Sequence, residues 1–429
     1  MPLSRLDLRG VPSAAVAGRL PPAPGHEAFP TAEVAALIER VRTGGDQTLL
    51  ELTATFDGVT LESLRVPAEE VQEALESVPD GLRRALELAH ARITAYHAGE
   101  PAPVRDFASE GVRVTHLVRP VARAGLYAPG GRARYPSTVL MCAAPARVAG
   151  VKELVLCVPP GPDGSVDDAT LAAAAIAGVD EVYRVGGAQA IAALAFGTET
   201  IRPVDVIVGP GNRFVAEAKR QVSGMVGVPS AFTGPSEVVV VADEHTPWKW
   251  AAVDLAVQAE HGPDGLAWLI TWSEKALQEI DGALDEIVRR SPRREDLEAT
   301  LAGGGVAVLV DGPAEALAVS NAVAPEHLEL LVDGAEALLP LVERAGAVFL
   351  GPLTPASLGD YVAGPNHVLP TARTARFASA LGVADFRTTV HAVSVDRAGL
   401  ARLAAAVAAI AEVEGLPAHA ESVRLRVEG

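Results

Sequence analysis

With 429 residues, of which 49% are hydrophobic and 21% charged, the chain has the length and composition of a folded protein with two or three domains. Its formal net charge of -18 argues against binding nucleic acid or an anionic membrane over a broad surface. The two cysteines, Cys142 and Cys157, form no C-x-x-C pair, which indicates a reducing compartment and provides neither a disulfide framework nor a thiolate zinc site.

Targeting and membrane-spanning segments are not expected. Arginines and prolines are spread through the first 20 residues, which have no apolar core of the kind a signal peptide needs. The alanine-rich runs 171–179 and 403–411 are shorter than the roughly 20 apolar residues that span a bilayer. We therefore expect a cytoplasmic protein without membrane or nucleic-acid partners.

The first hundred residues are predicted to be helical. The segment 31–57 begins with Thr31 as a candidate cap, has helical apolar spacing and contains a Gly-Gly stop signal, and a second helical run covers 81–98. From Val118, short β-rich runs that end in glycine alternate with alanine-rich helical segments. This repeat is typical of a parallel sheet with crossover helices. It restarts after residue 245, which predicts two α/β domains followed by a helical tail with a short polar end.

Glycine turns suggest a nucleotide site. Gly209, Gly211 and Asn212 lie between a predicted strand and a helix N-terminus, where backbone N–H groups can bind phosphate. The full dinucleotide fingerprint requires glycine or alanine at the position of Phe214, and the glycines would serve a tight turn equally well. A second glycine turn follows Tyr127, and two such turns from one parallel sheet favour a nucleotide site.

Two polar pairs stand out on apolar segments. Gln258 and His261 share one helix face at a spacing of three residues, either as an ordinary polar edge or because both face one ligand. Glu326 and His327 are adjacent, so they can serve one site only at a turn or a helix start. The preceding Pro325 favours a helix start. The alternative is a capped helix with a solvated Glu-His pair.

Further candidates lie in constrained loops and in the tail. Asp360 belongs to a loop rich in glycine and proline, and Glu414 and His419 flank a Gly-Pro bend near the C-terminus, where chain ends usually fray. Together with Gln258 and His261, these side chains include nitrogen and oxygen donors that zinc accepts. Their spacing alone does not establish that the segments converge. The residues indicate a metal-assisted, nucleotide-using enzyme.

The chain resembles the histidinol dehydrogenase family along nearly its entire length. The resemblance is carried by long and specific runs: YAPGGRARYPSTVLMCAAPARVAGV, GGAQAIAALAFGTETI, VDVIVGPGN, GPSEVVVVAD, DLAVQAEHG, APEHLEL, GDYVAGPNHVLPT and EGLPAHAESVRLRV. Departures from the usual family residues concern the pocket wall and remove no proposed ligand or base: Phe214, Pro229, Thr233 and Val257.

The resemblance implies a zinc- and NAD-dependent, four-electron oxidation of L-histidinol to L-histidine through the aldehyde, the last step of histidine biosynthesis. One Zn²⁺ per subunit would orient the substrate. The implied roles are catalytic bases at Glu326 and His327, metal ligands at Gln258, His261, Asp360 and His419, NAD contacts at Tyr127, Gln189 and Asn212, and substrate contacts at Ser236, Gln258, His261, His327, Asp360, Glu414 and His419.

The resemblance also implies a fold of two incomplete Rossmann-like parallel-sheet domains with small helical N- and C-terminal extensions. The family forms an intertwined homodimer in which the tail, with Glu414 and His419, completes the partner's site. We divide the chain into an N-terminal extension (1–23), a first α/β domain (24–126 plus 235–380), a second, NAD-binding α/β domain (127–234) and a C-terminal tail domain (381–429).

Two alternatives stay open at this point. A relative on the same scaffold could oxidise another alcohol, such as a sulfonated diol, but Glu414 and His419 match groups that the family uses for the amino-imidazole substrate. An inactive, zinc-binding scaffold is the alternative from another class, and the presence of both Glu326 and His327 argues against it.

Overall fold

The computed structural model describes residues 3–21, 29–100, 106–130, 134–229, 236–262 and 265–429. Thr233, one of the departures noted above, lies outside these residues. Within them, the strands are β1 (Ser4–Asp7), β2 (Phe107–Ser109), β3 (Val112–Pro120), β4 (Arg123–Tyr127), β5 (Glu153–Val158), β6 (Glu181–Arg184), β7 (Val206–Val208), β8 (Glu237–Ala242), β9 (Leu266–Thr271), β10 (Gly305–Leu309), β11 (His327–Leu331), β12 (Ala347–Leu350) and β13 (Arg387–Val395).

Helices connect most of these strands. They are α1 (Ser13–Val16), α2 (Thr31–Phe56), α3 (Ala68–Ser77), α4 (Asp80–Ala98), α5 (Pro136–Ala149), α6 (Asp168–Ile176), α7 (Gly187–Phe196), α8 (Arg213–Val222), α9 (Trp248–Ala259), α10 (Glu274–Arg290), α11 (Arg294–Gly304), α12 (Pro313–Val323), α13 (Ala335–Leu338), α14 (Ala356–Tyr361), α15 (Arg397–Val413) and α16 (Pro417–Glu428). No helix of the described residues has the length and apolar character needed to cross a membrane.

Two parallel sheets form the framework and confirm the predicted α/β class. The larger sheet has the strand order β1-β10-β9-β8-β11-β12 and the smaller one the order β6-β5-β4-β7. Every neighbouring pair in both sheets is parallel, whereas a third, three-stranded sheet of order β13-β3-β2 is antiparallel. The crossover helices lie between successive parallel strands, as the alternating sequence pattern predicts.

The central strands of the larger sheet are buried on both faces. All six residues of β8 are buried. Val238 and Val240 belong to a hydrophobic cluster with residues of α9, α10 and α11, and Val239 and Val241 belong to a cluster with residues of α1 and α12. Successive strand residues point to opposite faces, so a sheet covered on both sides requires a continuous apolar run, and the run of four valines meets this requirement.

The smaller sheet is covered in the same way. Leu154 and Leu156 of β5 lie in one cluster with residues of α4, α5 and α6, and Val155 lies in another with residues of α2, α7 and α8. The early helices α2 and α4 thus share hydrophobic clusters with the smaller sheet. The domain boundaries given above stay a prediction.

Both terminal segments differ from the helical prediction in part. Residues of β1 pair in parallel with β10, about 300 positions away, and form an edge of the larger sheet. The four residues of β1 carry no strong strand signal, because only long-range pairing makes them a strand. In the tail, β13 pairs antiparallel with β3, and the supposed polar end is helix α16. The Gly-Gly signal in α2 produces a kink at Gly45, with φ 53°, and the helix continues to Phe56.

Candidate active site

Four predicted site residues meet at the amino edge of the larger sheet. Ser236 immediately precedes β8, and Glu326 immediately precedes β11. Strands β8 and β11 are parallel neighbours, with His327 opposite Val238, so their first residues lie side by side. His261 joins them, because its Nδ1 lies 2.8 Å from the Ser236 hydroxyl oxygen. The expectation that His261 shares a helix face with Gln258 is wrong, because α9 ends at Ala259 and His261 lies in the turn that follows.

The expectation of a helix start at Glu326 is wrong. Helix α12 ends at Val323, Ala324 takes a left-handed conformation with φ 51°, and the chain enters β11 at His327. Proline is common directly after a helix as well as in its first turn, so Pro325 does not separate the two cases in sequence. The pair therefore lies at a helix-to-strand turn, one of the two settings in which adjacent residues can serve one site.

His327 is buried among hydrogen-bond acceptors. Its Nδ1 lies 3.1 Å from the carbonyl oxygen of Glu237 and 3.4 Å from Oε2 of Glu326, and its Nε2 lies 3.3 Å from Oδ1 of Asp360. A carbonyl oxygen only accepts, so Nδ1 carries a proton. Burial alone would lower the pKa of His327, but the charge of Glu326 and the bond to Asp360 outweigh it and raise the pKa well above its usual value. This environment favours the charged imidazolium, which pairs with the carboxylate of Asp360.

Asp360 lies in helix α14 and not in the loop expected from the sequence, and it is joined to a second histidine seven residues later in the chain. His367 donates from Nδ1 to the backbone carbonyl of Asp360 at 2.8 Å, and its Nε2 lies 3.2 Å from the Thr138 hydroxyl on α5. Burial opposes ionisation of Asp360, yet the hydrogen bond from His327 and the charges of nearby histidines, His261 among them, hold its pKa below the usual value. Asp360 is therefore an ionised carboxylate close to two imidazoles.

The buried amide of Gln258 is the observation that points most clearly to a metal site. Its side chain is 1% exposed, and neither amide atom has a hydrogen-bond partner among the described residues. Leaving a buried polar group unpaired costs about 1–3 kcal/mol, so such groups call for a partner. The amide oxygen, the imidazole of His261 and the carboxylate of Asp360 are donors that zinc accepts. The residues present therefore fit the predicted metal.

Within the described residues, Glu414 and His419 make no hydrogen bond or ion pair with the other predicted site residues of the same chain. Glu414 follows α15 directly and His419 lies in α16, and both are exposed. The hydrogen bonds that join the described residues of the site involve neither of them. The hairpin of α15 and α16 also exposes apolar side chains, with Ile410 62% and Val413 90% exposed.

A different cluster, formed by Asp243, His245 and Asp333, lies at the opposite edge of the larger sheet. Its potential ligand atoms lie within 4.8 Å of one another. Oδ1 of Asp243 accepts backbone N–H bonds from His245 and Thr246, and its Oδ2 accepts the N–H of Asp333. These bonds account for the cluster as a connection between the loops that follow β8 and β11.

The predicted cofactor residues lie at the carboxyl edge of the smaller sheet. Tyr127 ends β4, and its hydroxyl accepts the N–H of Gly187 at 3.0 Å, at the start of the helix that carries Gln189. Burial is the main reason that the pKa of Tyr127 is raised far above its usual value. Asn212 caps α8 by accepting the N–H groups of the next helical residues, including Phe214 at 3.0 Å. Ligands bind at this edge in open α/β sheets.

Gly209 is required by the turn itself. Its φ is 110°, and an added Cβ would lie 2.0 Å from the backbone oxygen of Tyr127. Gly224, with φ 95°, has no atom within 4 Å of the corresponding position and provides a matched comparison. We expect Gly209→Ala to lower the free energy of unfolding by about 3 kcal/mol and to weaken binding of NAD, the predicted cofactor, and Gly224→Ala to cost only about 1 kcal/mol of backbone strain.

Denaturant titration and calorimetric NAD binding measure these two effects. Equal losses of stability in the two variants, with unchanged NAD affinity, would contradict a role of the Gly209 turn in holding the cofactor.

Similarity to known proteins decides the family. A family model described as histidinol dehydrogenase matches residues 26–427. The chain belongs to the histidinol dehydrogenase family. A histidinol dehydrogenase of Synechococcus sp. is 49% identical over 398 residues, covering 92% of each chain. One from Parasynechococcus marenigrum is 48% identical over 395 residues, covering 92% of this chain and 90% of the relative.

A solved structure agrees with this assignment. A crystal structure of histidinol dehydrogenase from Elizabethkingia anophelis superposes with a TM-score of 0.94 at 33% identity, covering 100% of this chain and 98% of that chain. The similarity confirms both the family predicted from the motifs and the arrangement of the sheets. Members of the histidinol dehydrogenase family are dehydrogenases, so the chain is an oxidoreductase.

Three buried carboxyl groups of the site region were not singled out from the sequence. Glu237 begins β8, Glu329 lies inside β11 two residues after His327, and Asp254 lies on α9 one turn before Gln258. Burial, and then the charge of Asp254, raises the pKa of Glu329 to about 9. The available signal was a charged residue inside an otherwise apolar strand, because parallel strands covered on both faces rarely contain one.

Proposed function

We propose that this member of the histidinol dehydrogenase family catalyses the zinc- and NAD-dependent, four-electron oxidation of L-histidinol to L-histidine through the aldehyde, the last step of histidine biosynthesis. The observation that carries the proposal is the contact between His327 and Asp360, since it joins a predicted base to a predicted metal ligand. The free, buried thiols of Cys142 and Cys157 support a cytoplasmic location.

His327 is the base for the alcohol. Its Nδ1 is committed to the carbonyl oxygen of Glu237, so Nε2, once it is deprotonated and released from Asp360, is the nitrogen that takes the hydroxyl proton of the substrate. NAD⁺, when bound, accepts the hydride in each of the two oxidations. The ring of Phe349, inclined by 24° to the imidazole with a centroid 5.9 Å away, helps to hold the imidazole in one orientation.

Glu326 activates the water that hydrates the aldehyde. Its Oε2 accepts the backbone N–H of Glu237 at 3.0 Å, which fixes the carboxylate next to the imidazole of His327. A carboxylate and an imidazole held side by side can move the proton of the alcohol and the protons of the hydrating water in separate steps.

One zinc ion per subunit would be held by Gln258, His261 and Asp360 together with His419 of the partner subunit. When bound, the metal supplies a template that orients the imidazole and amino nitrogens of the substrate. Ser236, whose hydroxyl contacts His261, and Glu414 of the partner subunit complete the polar contacts of the substrate.

An intertwined homodimer brings the last two groups to the site. The exposed apolar residues of the α15–α16 hairpin, Ile410 and Val413 among them, support its packing against a second copy. The exposed Glu414 and His419 lie on the same hairpin, so one interface would both cover the apolar surface and deliver the two side chains.

Stoichiometry tests the function directly. Purified protein loaded with zinc is incubated with limiting L-histidinol and excess NAD⁺, and we expect two NADH for each histidinol consumed. Fewer than two NADH per histidinol, or faster turnover of a sulfonated diol than of histidinol, would contradict the proposal. A complete lack of turnover would favour an inactive scaffold.

Glu326→Gln separates the two half-reactions. The variant retains the size of the side chain but loses the proton acceptor, so oxidation of the aldehyde should fall much more than oxidation of the alcohol, by about 10²-fold or more. Single-turnover measurements with histidinol and, separately, with histidinal determine both rates. An equal loss in the two half-reactions would contradict this division of labour.

A further inference from the structure

Glu237 is a buried carboxylate at the centre of the site for which the reaction provides no role. It is 4% exposed. Its Oε2 accepts the backbone N–H of Glu326 at 3.3 Å, and its Oε1 accepts the backbone N–H of Ala372 at 2.9 Å. Its own backbone N–H donates to Glu326, and its carbonyl oxygen accepts from His327. One residue thus contacts both bases and a loop from another part of the chain.

Glu237 and Glu326 are bonded reciprocally. The backbone N–H of each donates to the carboxylate of the other, so the two residues hold each other in one relative position. A displacement of the Glu237 side chain would move the backbone of Glu326 and, through the next peptide, the ring of His327. On the β12 side the carbonyl oxygen of Glu326 accepts the N–H of Ala347, whereas the β8–β11 pairing begins only at His327, so on the β8 side Glu237 holds Glu326.

Both segments that the carboxylate joins contain non-glycine residues with positive φ. Ala324, two residues before Glu326, has φ 51°, and Ala372 has φ 51° and is followed by Arg373 with φ 65°. Such conformations persist only where surrounding contacts hold them, and they concentrate at functional sites. The carboxylate of Glu237 supplies one of these contacts to each segment.

We propose that Glu237 is a positioning residue of the active site, whose buried carboxyl group joins the backbone of Glu326 to that of Ala372 and thereby sets the Glu326–His327 pair. The proposal rests on the proposed function for its kinetic consequence but not for its structural one. The residue touches neither substrate nor cofactor in this role and acts through the two bases.

The electrostatic setting indicates that stability alone does not explain this carboxylate. Burial and the charge of Glu326 raise the pKa of Glu237 to about 8, against the opposing effect of the two N–H donors and of His327. A buried acid next to a second acid is an unfavourable choice for packing, and apolar residues often replace such groups without loss of stability.

Asp243 provides a matched control at the other end of the same strand pair. It is 5% exposed, and its Oδ2 accepts the N–H of Asp333 after β11, as Oε2 of Glu237 accepts the N–H of Glu326 before β11. The variants are Glu237→Gln and Asp243→Asn, each of which places an amide NH₂ against backbone donors. Both should lower the melting temperature.

Only Glu237→Gln should affect the chemistry. We expect kcat for histidinol to fall by about 100-fold, as for a small misplacement of reacting groups, with the KM for histidinol and the zinc content unchanged. Asp243→Asn should retain the parent kcat. A parent-like kcat in Glu237→Gln, or an equal loss in both variants, would overturn the proposal.

An NMR measurement that needs no substrate tests the positioning role of Glu237 independently of the proposed function. The ring nitrogens of His327, assigned by ¹⁵N NMR through the signals lost in His327→Asn, should report a protonated Nδ1 in the parent and in Asp243→Asn. We expect altered ring signals in Glu237→Gln, and unchanged signals would overturn the proposal even if histidinol is not the substrate. If Glu237→Gln does not fold, Glu237→Asp, which is too short to reach both N–H groups, is judged by the same outcomes.

Discussion

His327→Asn should lower kcat for histidinol by about 10²–10⁴-fold, the range that a positioned general base contributes. Asparagine retains an amide donor that can reach the carbonyl oxygen of Glu237, but it has no counterpart of Nε2, which lies 3.3 Å from Asp360. The loss should therefore fall on proton transfer, with little effect on the KM for histidinol or on zinc content. Steady-state and single-turnover kinetics measure the two effects.

His391→Asn is the control for this prediction. His391 is exposed on β13 in the antiparallel sheet, where its ring contacts that of His116, and it should leave kcat unchanged. A kcat close to the parent value in His327→Asn, or a loss that appears only as a raised KM, would argue against His327 as the base.

His261→Asn should weaken zinc binding by about 100-fold or more, because the variant loses a direct ligand of the proposed zinc site and changes of outer partners alone already cost 10–100-fold. The KM for histidinol should rise in parallel, since the metal orients the substrate. His261 also contacts the hydroxyl of Ser236, so the loss of this bond adds to the effect. Elemental analysis after dialysis against a zinc buffer gives the metal content.

His245→Asn separates this metal site from the cluster at the other edge of the sheet. His245 lies 3.1 Å from Asp333 and is exposed. We expect the parent zinc content in His245→Asn and depleted zinc in His261→Asn. The reverse result would place the metal with Asp243 and refute the ligand assignment.

Local patterns were sufficient for parts of the candidate site. The turn at Gly209 and the cap at Asn212 depend only on backbone conformation within a few residues. The spacing of Gln258 and His261 predicts one helix face, but α9 ends at Ala259 and His261 lies beyond its cap, so a shared direction of the two side chains stays a prediction. The long family motifs then predicted the roles of these residues.

Local sequence patterns did not predict the contacts between segments that are distant in the chain. The same Pro325 fits a helix start and a helix end, and only the pairing of β11 with β8 shows which one occurs. The strand β1 exists because β10 offers an open edge about 300 residues later, not because its four residues favour a strand.

By itself, the sequence determined the α/β class, the family and the residues that can carry acid–base and metal chemistry, because these depend on composition, short-range periodicity and motif identity. Only the tertiary structure decided which of them meet. It places His327 against Asp360, leaves the amide of Gln258 buried without a described partner, and joins Glu237 to Glu326. These contacts depend on the strand order and register of the larger sheet, which pairing between residues about 90 positions apart determines and which no local pattern encodes.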